Sequence, residues 1–244
     1  MITFDSDKNA IFNPQSLNLI GHPKKALMIF DDEVWEDYVE KNKTLETFPA
    51  KNNSGRVFSA FRIYKHKGED ILLICPNIGG AASTVDLELL IASGINKIVA
   101  FGTCGSLDKN IAKNTIIIPT VAVREEGVSY HYLPPSDEVD QNKTLIQIME
   151  QVFSRHNMNY LSGKVWTTDA VYRETSNKLK TMKQNGCLAV DMEMASLLSV
   201  AKFRSIDFAG FLIADDNIDG KPKKDYGRDS ATLLQLALEI VTAI

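Results

Sequence analysis

A chain of 244 residues with 44% hydrophobic and 8% aromatic residues is long enough to bury one large α/β core. A formal charge of -4 without a basic block argues against nucleic acid as a partner, and no apolar run approaches the roughly 20 residues that span a bilayer, so no membrane partner is expected. Cys75, Cys104 and Cys187 are too scattered for a disulfide framework or a metal-ligand spacing, and Met1–Asn18 has no signal-like apolar core, which together read as a reduced cytoplasmic protein without a metal.

Residues 1–24 have weak periodicity and are expected to form an arm on the surface or on a neighbouring subunit, ahead of one domain over residues 25–244. KALMIF (Lys25–Phe30) predicts the first strand, and Glu33–Lys41 a helix whose DDE start suits a helix N-terminus. Asn52–Gly55 marks a turn. Val57–Lys65 and Asp70–Cys75 then read as a hairpin about KHKGE, the first strand alternating and the second continuously apolar. PNIGGAAS leads into a helix from about Thr84 to Ser93, and Ile98–Phe101 is a buried strand ending in GTCGSL. Thr115–Val123 is a long strand that leaves the core at the loop REEGVSYHYLPPS. Asn142–His156 is helical, Leu161–Trp166 a strand, and TTDAVYRET a loop before the helix Ser176–Asn185. LAVDMEMASLLSV (Leu188–Val200) passes from a strand end into a helix, FAGFLI (Phe208–Ile213) is the last strand, ADDNIDGKPKKD a polar loop, and Asp229–Thr242 a closing amphipathic helix. Strands alternating with helices predict a single α/β domain whose central sheet is mixed and mostly parallel, with helices on both faces.

In such a sheet ligands bind at the carboxyl ends of the strands, where NIGGAAS, GTCGSL, TTDAVY and ADDNIDG would converge. Gly102 and Gly105 around Thr103 and Cys104 suit a loop whose backbone approaches a ligand, and Gly79 and Gly80 suit a second turn opening a helix. Neither has the spacing of a dinucleotide or P-loop motif, and each equally suits plain turn punctuation. Glu193, between Met192 and Met194, is a carboxylate among apolar neighbours that needs hydrogen-bond donors, for which a sugar's vicinal hydroxyls serve as well as a helix N-terminus does. Asp215 and Asp216 follow a buried strand directly. Desolvation of one of them would raise its pKa and keep a proton for donation, and a turn cap is the plainer alternative. Asp169 suits a backbone turn, His131 and its tyrosine neighbours suit packing or an interface, and no histidine partner for Cys104 can be argued.

The order of glycine turn, GTCGSL, REEGVSYHYLPP, WTTDAVYRET, VDMEMAS and an Asp after the last strand resembles the nucleoside phosphorylase superfamily over roughly Arg56–Asp229. The resemblance implies the same α/β fold and a homo-oligomer, a dimer or a trimer of dimers, in which a neighbour completes each site. It implies that Met192 and Glu193 hold the ribose, that Ile78 packs against it, and that Thr103 touches phosphate beside Gly79 and Cys104. Gly105 would line the base, and Val171, with Tyr172 next to it, stands where an aromatic commonly stacks. Asp216 falls on the acid that protonates a departing purine, Arg228 close to the arginine assisting it, and Arg56 near an arginine donated by a neighbouring subunit.

The implied reaction is cleavage of a nucleoside, with a purine base favoured, by phosphorolysis to free base and ribose 1-phosphate. Phosphate is a co-substrate and no cofactor is needed. The phosphate side departs from the pattern, because Ala100 stands where an arginine is usual and FDDEVWE follows the first strand where a basic glycine loop is usual. Charge-assisted hydrogen bonds contribute about 1.5–3 kcal/mol each, so two missing guanidinium contacts to a dianion leave hydrolysis by water as the alternative. A noncatalytic nucleoside-binding protein is the reading of another class.

Overall fold

The computed structural model describes residues 4–17, 19, 22–39, 46–48, 61–218 and 229–244. Its strands are β1 (Lys25–Phe30), β2 (Glu46–Phe48), β3 (Phe61–His66), β4 (Glu69–Ile74), β5 (Lys97–Ser106), β6 (Ile116–Glu125), β7 (Glu138–Asp140), β8 (Tyr160–Thr168), β9 (Cys187–Asp191) and β10 (Asp207–Asn217). Its helices are α1 (Asp32–Val39), α2 (Gly80–Ala92), α3 (Ser129–Tyr132), α4 (Lys143–Arg155), α5 (Ser176–Gln184), α6 (Met194–Arg204) and α7 (Ser230–Ala243), and a 3-10 turn covers Val171–Arg173. The turn at 52–55 and the start of the strand expected from Val57 lie outside the described residues, as does most of the polar loop after β10.

The strands form one mixed sheet in the order β10-β6-β8-β9-β5-β1-β4-β3-β2, with β7 paired to β6. β10 also pairs with β5, which closes β5, β10, β6, β8 and β9 into a ring. The long pairings, β5 with β1 and with β10 and β6 with β8, are parallel, as is β1 with β4, whereas the β3–β4, β10–β6 and β5–β9 pairings are antiparallel. The chain is thus a single α/β domain built on a mixed sheet between helices.

Side-chain alternation along the strands explains why the central ones read as unbroken apolar runs. Ala26, Met28, Ile98 and Ala100 enter one buried cluster with Leu87 and Leu90 of α2 and Leu197 and Leu198 of α6. Leu27, Ile29, Val99 and Phe101 enter another with residues of α1, α4 and α7. A strand covered on both faces has no polar side to show. In the second cluster Phe101 stacks on Phe211 at 5.1 Å between centroids, and Phe153 meets Phe211 edge-on at 5.2 Å, contacts that add about 0.5–1.5 kcal/mol each beyond area burial.

Several elements differ from the sequence expectation, always where polar residues are involved. β5 continues five residues past Phe101, taking GTCGS into the sheet, and β10 continues past Ile213 through Asp215 and Asp216. α2 starts at Gly80 instead of Thr84, because Gly79 turns the chain at φ 96 and Ser83 bonds back to the Gly79 carbonyl through both its amide and its hydroxyl. A side chain at Gly80 would run into Ser196, so the missing β-carbon lets α2 and α6 cross closely.

The loop REEGVSYHYLPPS is rigid and contains α3. The Arg124 guanidinium, nearly fully buried, donates to Ser129, Ser136 and the Pro134 carbonyl, and lies 4.2 Å from the Tyr130 ring. Tyr132 packs edge-on to Phe203 at 5.6 Å, and Asp169 accepts the Gly127 amide at 2.8 Å. These residues are structural. The arm runs over the same side of the protein, with Phe4 edge-on to Phe203 and Arg204 donating to the Lys8 carbonyl at 2.7 Å. Among the described residues no helix is long and apolar enough to cross a membrane.

Candidate active site

One cavity of about 310 Å³ opens where β1, β5, β9 and β10 end. Phe30, Thr103, Cys104, Gly105, Val190 and the pair Asp215 and Asp216 come from these strands. Ile78, Val171, Glu174, Met192, Glu193 and Ile218, with Asp191 at the end of β9, complete its wall. Two larger concavities lie elsewhere, one along α4 and one beside Arg124 where β6 ends.

Glu193 owes its place to the turn between β9 and α6. Asp191, the last residue of β9, caps α6 by accepting the amides of Glu193 at 3.1 Å and Met194 at 2.6 Å. Thr167 of β8 steadies the cap, donating its hydroxyl to Asp191 at 2.7 Å while accepting the Ala195 amide at 3.0 Å. Glu193 is only 9% exposed and takes the Gly79 amide on Oε1 at 2.6 Å. Burial first, and the Asp191 carboxyl second, push the Glu193 carboxyl up to about 7. Burial likewise lifts Asp191 to about 6, against the opposing pull of its hydrogen bonds from Thr167 and the two amides. Gly79, expected beside phosphate, has its N–H engaged by the Glu193 carboxyl.

The expectation that GTCGSL is a loop with free amides does not hold. Thr103, Cys104 and Gly105 stand in β5, registered with Ile213, Ala214 and Asp216 of β10, so what they offer the cavity is side-chain chemistry: an exposed hydroxyl at Thr103 and the Cys104 thiol. Gly105 matters by lacking a side chain, because a β-carbon there would come within 2.7 Å of Ile218 and 3.2 Å of Val190. Gly105, Val190 and Ile218 thus make one apolar floor of the cavity.

Asp215 and Asp216 both line the cavity although neighbours on a regular strand point to opposite faces. A register shift between Ala214 and Asp216 explains this: Asp215 is the extra residue of a bulge, which turns both carboxyls to the same space. Asp215 pairs with Lys113 at 3.2 Å. Asp216 is exposed at the rim, so the burial expected of the last-strand acids falls on Glu193 and Asp191 instead.

On the 3-10 turn Val171–Arg173, residues three apart eclipse one another. Val171 and Glu174 therefore both line the cavity, whereas Tyr172, expected beside the substrate, is 97% exposed and outside the lining. Arg56 and Arg228 lie outside the described residues. Sequence reasoning passed over Asp191, although an Asp just ahead of a helical run is an N-cap signal. It also passed over Glu174, Phe30 and Ile218, for which no local signal exists.

A family model described as the phosphorylase superfamily matches residues 24–244. The chain belongs to the phosphorylase superfamily. A DeoD-type purine nucleoside phosphorylase of Buchnera aphidicola subsp. Schizaphis graminum (strain Sg) is 25% identical over 244 residues, covering 96% of this chain and 95% of that one. The fold is shared with the uridine phosphorylase of Vibrio fischeri ES114, at a TM-score of 0.76 and 19% identity over 95% of both chains. It is shared too with the AMP nucleosidase of Bacteroides thetaiotaomicron VPI-5482, at a TM-score of 0.73 and 19% identity over 91% of this chain and 88% of that one. The protein is an enzyme of this superfamily.

The described wall of the cavity is acidic. Ala100 is fully buried in β5 between Met28 and Gly210 and presents nothing to the cavity. Asp31, just after β1, is buried and caps α1 through the Val34 amide at 3.2 Å. Among the described lining residues the ionisable side chains are Glu174, Asp191, Glu193, Asp215 and Asp216 with the Cys104 thiol, and none is a lysine or arginine.

Proposed function

We propose that the protein cleaves the N-glycosidic bond of a purine nucleoside. The observation that carries this reading is that Glu193 and Asp216 line one cavity whose volume suits a ribose with its base. Glu193, ionised, accepts both vicinal hydroxyls of the sugar, and its desolvation makes those bonds strong once formed. Met192 and Ile78 pack the sugar, and the floor of Gly105, Val190 and Ile218 receives the flat base. Asp216 donates a proton to the base as the glycosidic bond breaks, so the leaving group departs neutral from a ribosyl cation-like transition state. Its place at the rim lets water restore the proton.

The attacking group in the first reading is phosphate, as the DeoD-type relative's name suggests, with Thr103 as its hydroxyl contact and Arg56, supplied by a second copy in a homo-oligomer, as its cation. A second reading, hydrolysis, is favoured by one observation: the described lining holds carboxyls and no cation, and carboxylates repel a dianion but tolerate water.

One experiment tests both. Purified protein is incubated with adenosine, guanosine, inosine and uridine, with and without phosphate, and base and sugar products are separated chromatographically. Purine release with ribose 1-phosphate only when phosphate is present supports phosphorolysis, and free ribose supports hydrolysis. Binding without any base release would leave a noncatalytic nucleoside-binding protein and end the enzymatic reading.

A further inference from the structure

Glycosidic cleavage gives tasks to all but one of the cavity's carboxyls. Asp191 holds the α6 cap, Glu193 takes the Gly79 amide and the sugar, Asp215 faces Lys113 and Asp216 serves the departing base. Glu174 remains. It closes the 3-10 turn, its own amide bonding the Val171 carbonyl at 3.2 Å, and shares the cavity wall with Val171. No described residue donates a hydrogen bond to its carboxyl. Burial and then the nearby Glu125 raise its pKa, while Lys178, paired to Glu125, pulls the other way.

Two features put Glu174 at the base end and not the sugar end. It stands three residues after Val171, on the same side of a turn whose geometry eclipses that spacing. The apolar floor of Gly105, Val190 and Ile218 belongs to the same cavity, whereas the proposed sugar acid Glu193 is tied to Gly79 at the start of α2. A carboxylate is a pure acceptor, so a partly buried one without an internal donor accepts from water in the cavity and is open to a ligand N–H or O–H that displaces it.

We infer that Glu174 reads the edge of the base by accepting N–H from an exocyclic amino group, which makes amino-bearing purine nucleosides the preferred substrates over amino-free ones. This rests on the proposed purine-nucleoside cleavage and adds the substrate class. A site that bonds an exocyclic N–H disfavours an analogue lacking it, because the partly buried acceptor then has one ligand donor fewer.

The test compares kcat/KM for guanosine, adenosine and inosine in the wild type, Glu174→Ala and Glu174→Gln. The wild type is expected to favour guanosine or adenosine over inosine by about tenfold or more, the discrimination one charge-assisted hydrogen bond gives. Glu174→Ala brings that ratio to near unity, and Glu174→Gln, which keeps one acceptor oxygen, retains part of it. Inosine matching both amino-bearing substrates, or a preference that survives in Glu174→Ala, overturns the inference while leaving glycosidic cleavage standing. If the wild type releases base from no nucleoside, the proposed function fails instead. Calorimetric binding of free guanine, adenine and hypoxanthine to wild type and Glu174→Ala then decides the amino preference without turnover: tighter guanine or adenine binding lost in the variant supports it, and equal binding of the three overturns it.

Discussion

Gly79→Ala isolates the contact that holds the sugar acid. Gly79 sits at φ 96, ψ 147, a region essentially reserved for glycine, and a β-carbon built there meets nothing within 4 Å. The substitution therefore introduces no clash, and its whole effect is backbone strain of about 1–3 kcal/mol. The turn relieves that strain by rotating, which takes the N–H away from Glu193 Oε1, now 2.6 Å distant. A hydrogen bond to a charged group contributes about 1.5–3 kcal/mol, so the Glu193 carboxyl, already pushed up to about 7, climbs further by about one to two pH units. Only the ionised form accepts two sugar hydroxyls. At neutral pH the ionised fraction then falls about five- to fiftyfold, and kcat/KM with it. The assay is kcat/KM for a purine nucleoside from pH 5 to 9.5, with thermal melting run alongside. The expected result is an ascending limb with a midpoint near 7 in the wild type, moved upward in the variant, with activity recovering at high pH. A variant that melts cooperatively, has lost activity and keeps the wild-type midpoint would show that the amide does not control Glu193, and the reasoning would fail.

Three further outcomes follow from the same geometry. Asp191 and Glu193 both have folded-state values, about 6 and about 7, above those of the unfolded chain, so the native state holds protons that the unfolded state releases. Their contribution to stability is complete below about pH 4 and is lost as pH rises through 6 and 7; Glu193→Gln should flatten this fall and raise stability at pH 8 by on the order of 1–3 kcal/mol, read by denaturant unfolding. Thr167→Val removes the donor to buried Asp191 and the acceptor of the Ala195 amide together, for a loss of about 2–4 kcal/mol that Thr167→Ser should largely restore in the same measurement. Asp216→Asn should lower kcat for purine nucleosides by about 10²–10⁴ while leaving the melting temperature unchanged, since the residue is exposed; a riboside whose leaving group needs no proton should keep its rate, and an equal loss on that substrate would remove the acid role.

The parts of the fold legible in the sequence are those where one local rule decides. KALMIF and FAGFLI are covered on both faces, so their burial appears as an unbroken apolar run, and both lie in strands where expected. Where polar residues continue a strand, the run stops in the sequence but not in the sheet. Thr103–Gly105 and Asp215–Asp216 belong to β5 and β10 because each strand supplies the other's hydrogen-bonding partner, information that lies about a hundred residues away. The short β7 and α3 were missed for a related reason: α3 is held by the buried Arg124 reaching Ser129, Pro134 and Ser136, a single side chain with no periodic trace.

The site divides along the same line. Glu193 was legible because an acid between two methionines at a strand-to-helix junction conflicts with its surroundings, and such conflicts concentrate where a protein works. The raised pKa expected of a last-strand acid belongs to a pair two residues apart in VDMEMAS, because which acid is desolvated depends on what packs over it. α6 is buried from Met194 to Ala201, with β8 and the Gly79 turn bonded to its first turn, whereas Asp216 ends an outer rim. Tyr172 and Glu174 make the point most sharply. An aromatic next to a presumed stacking position was the natural choice from composition, yet a three-residue turn repeats every third residue, which aims Tyr172 at solvent and brings Glu174 to the cavity beside Val171. The three-residue repeat of one short turn thus decides whether the cavity wall beside Val171 carries a phenol or a carboxylate.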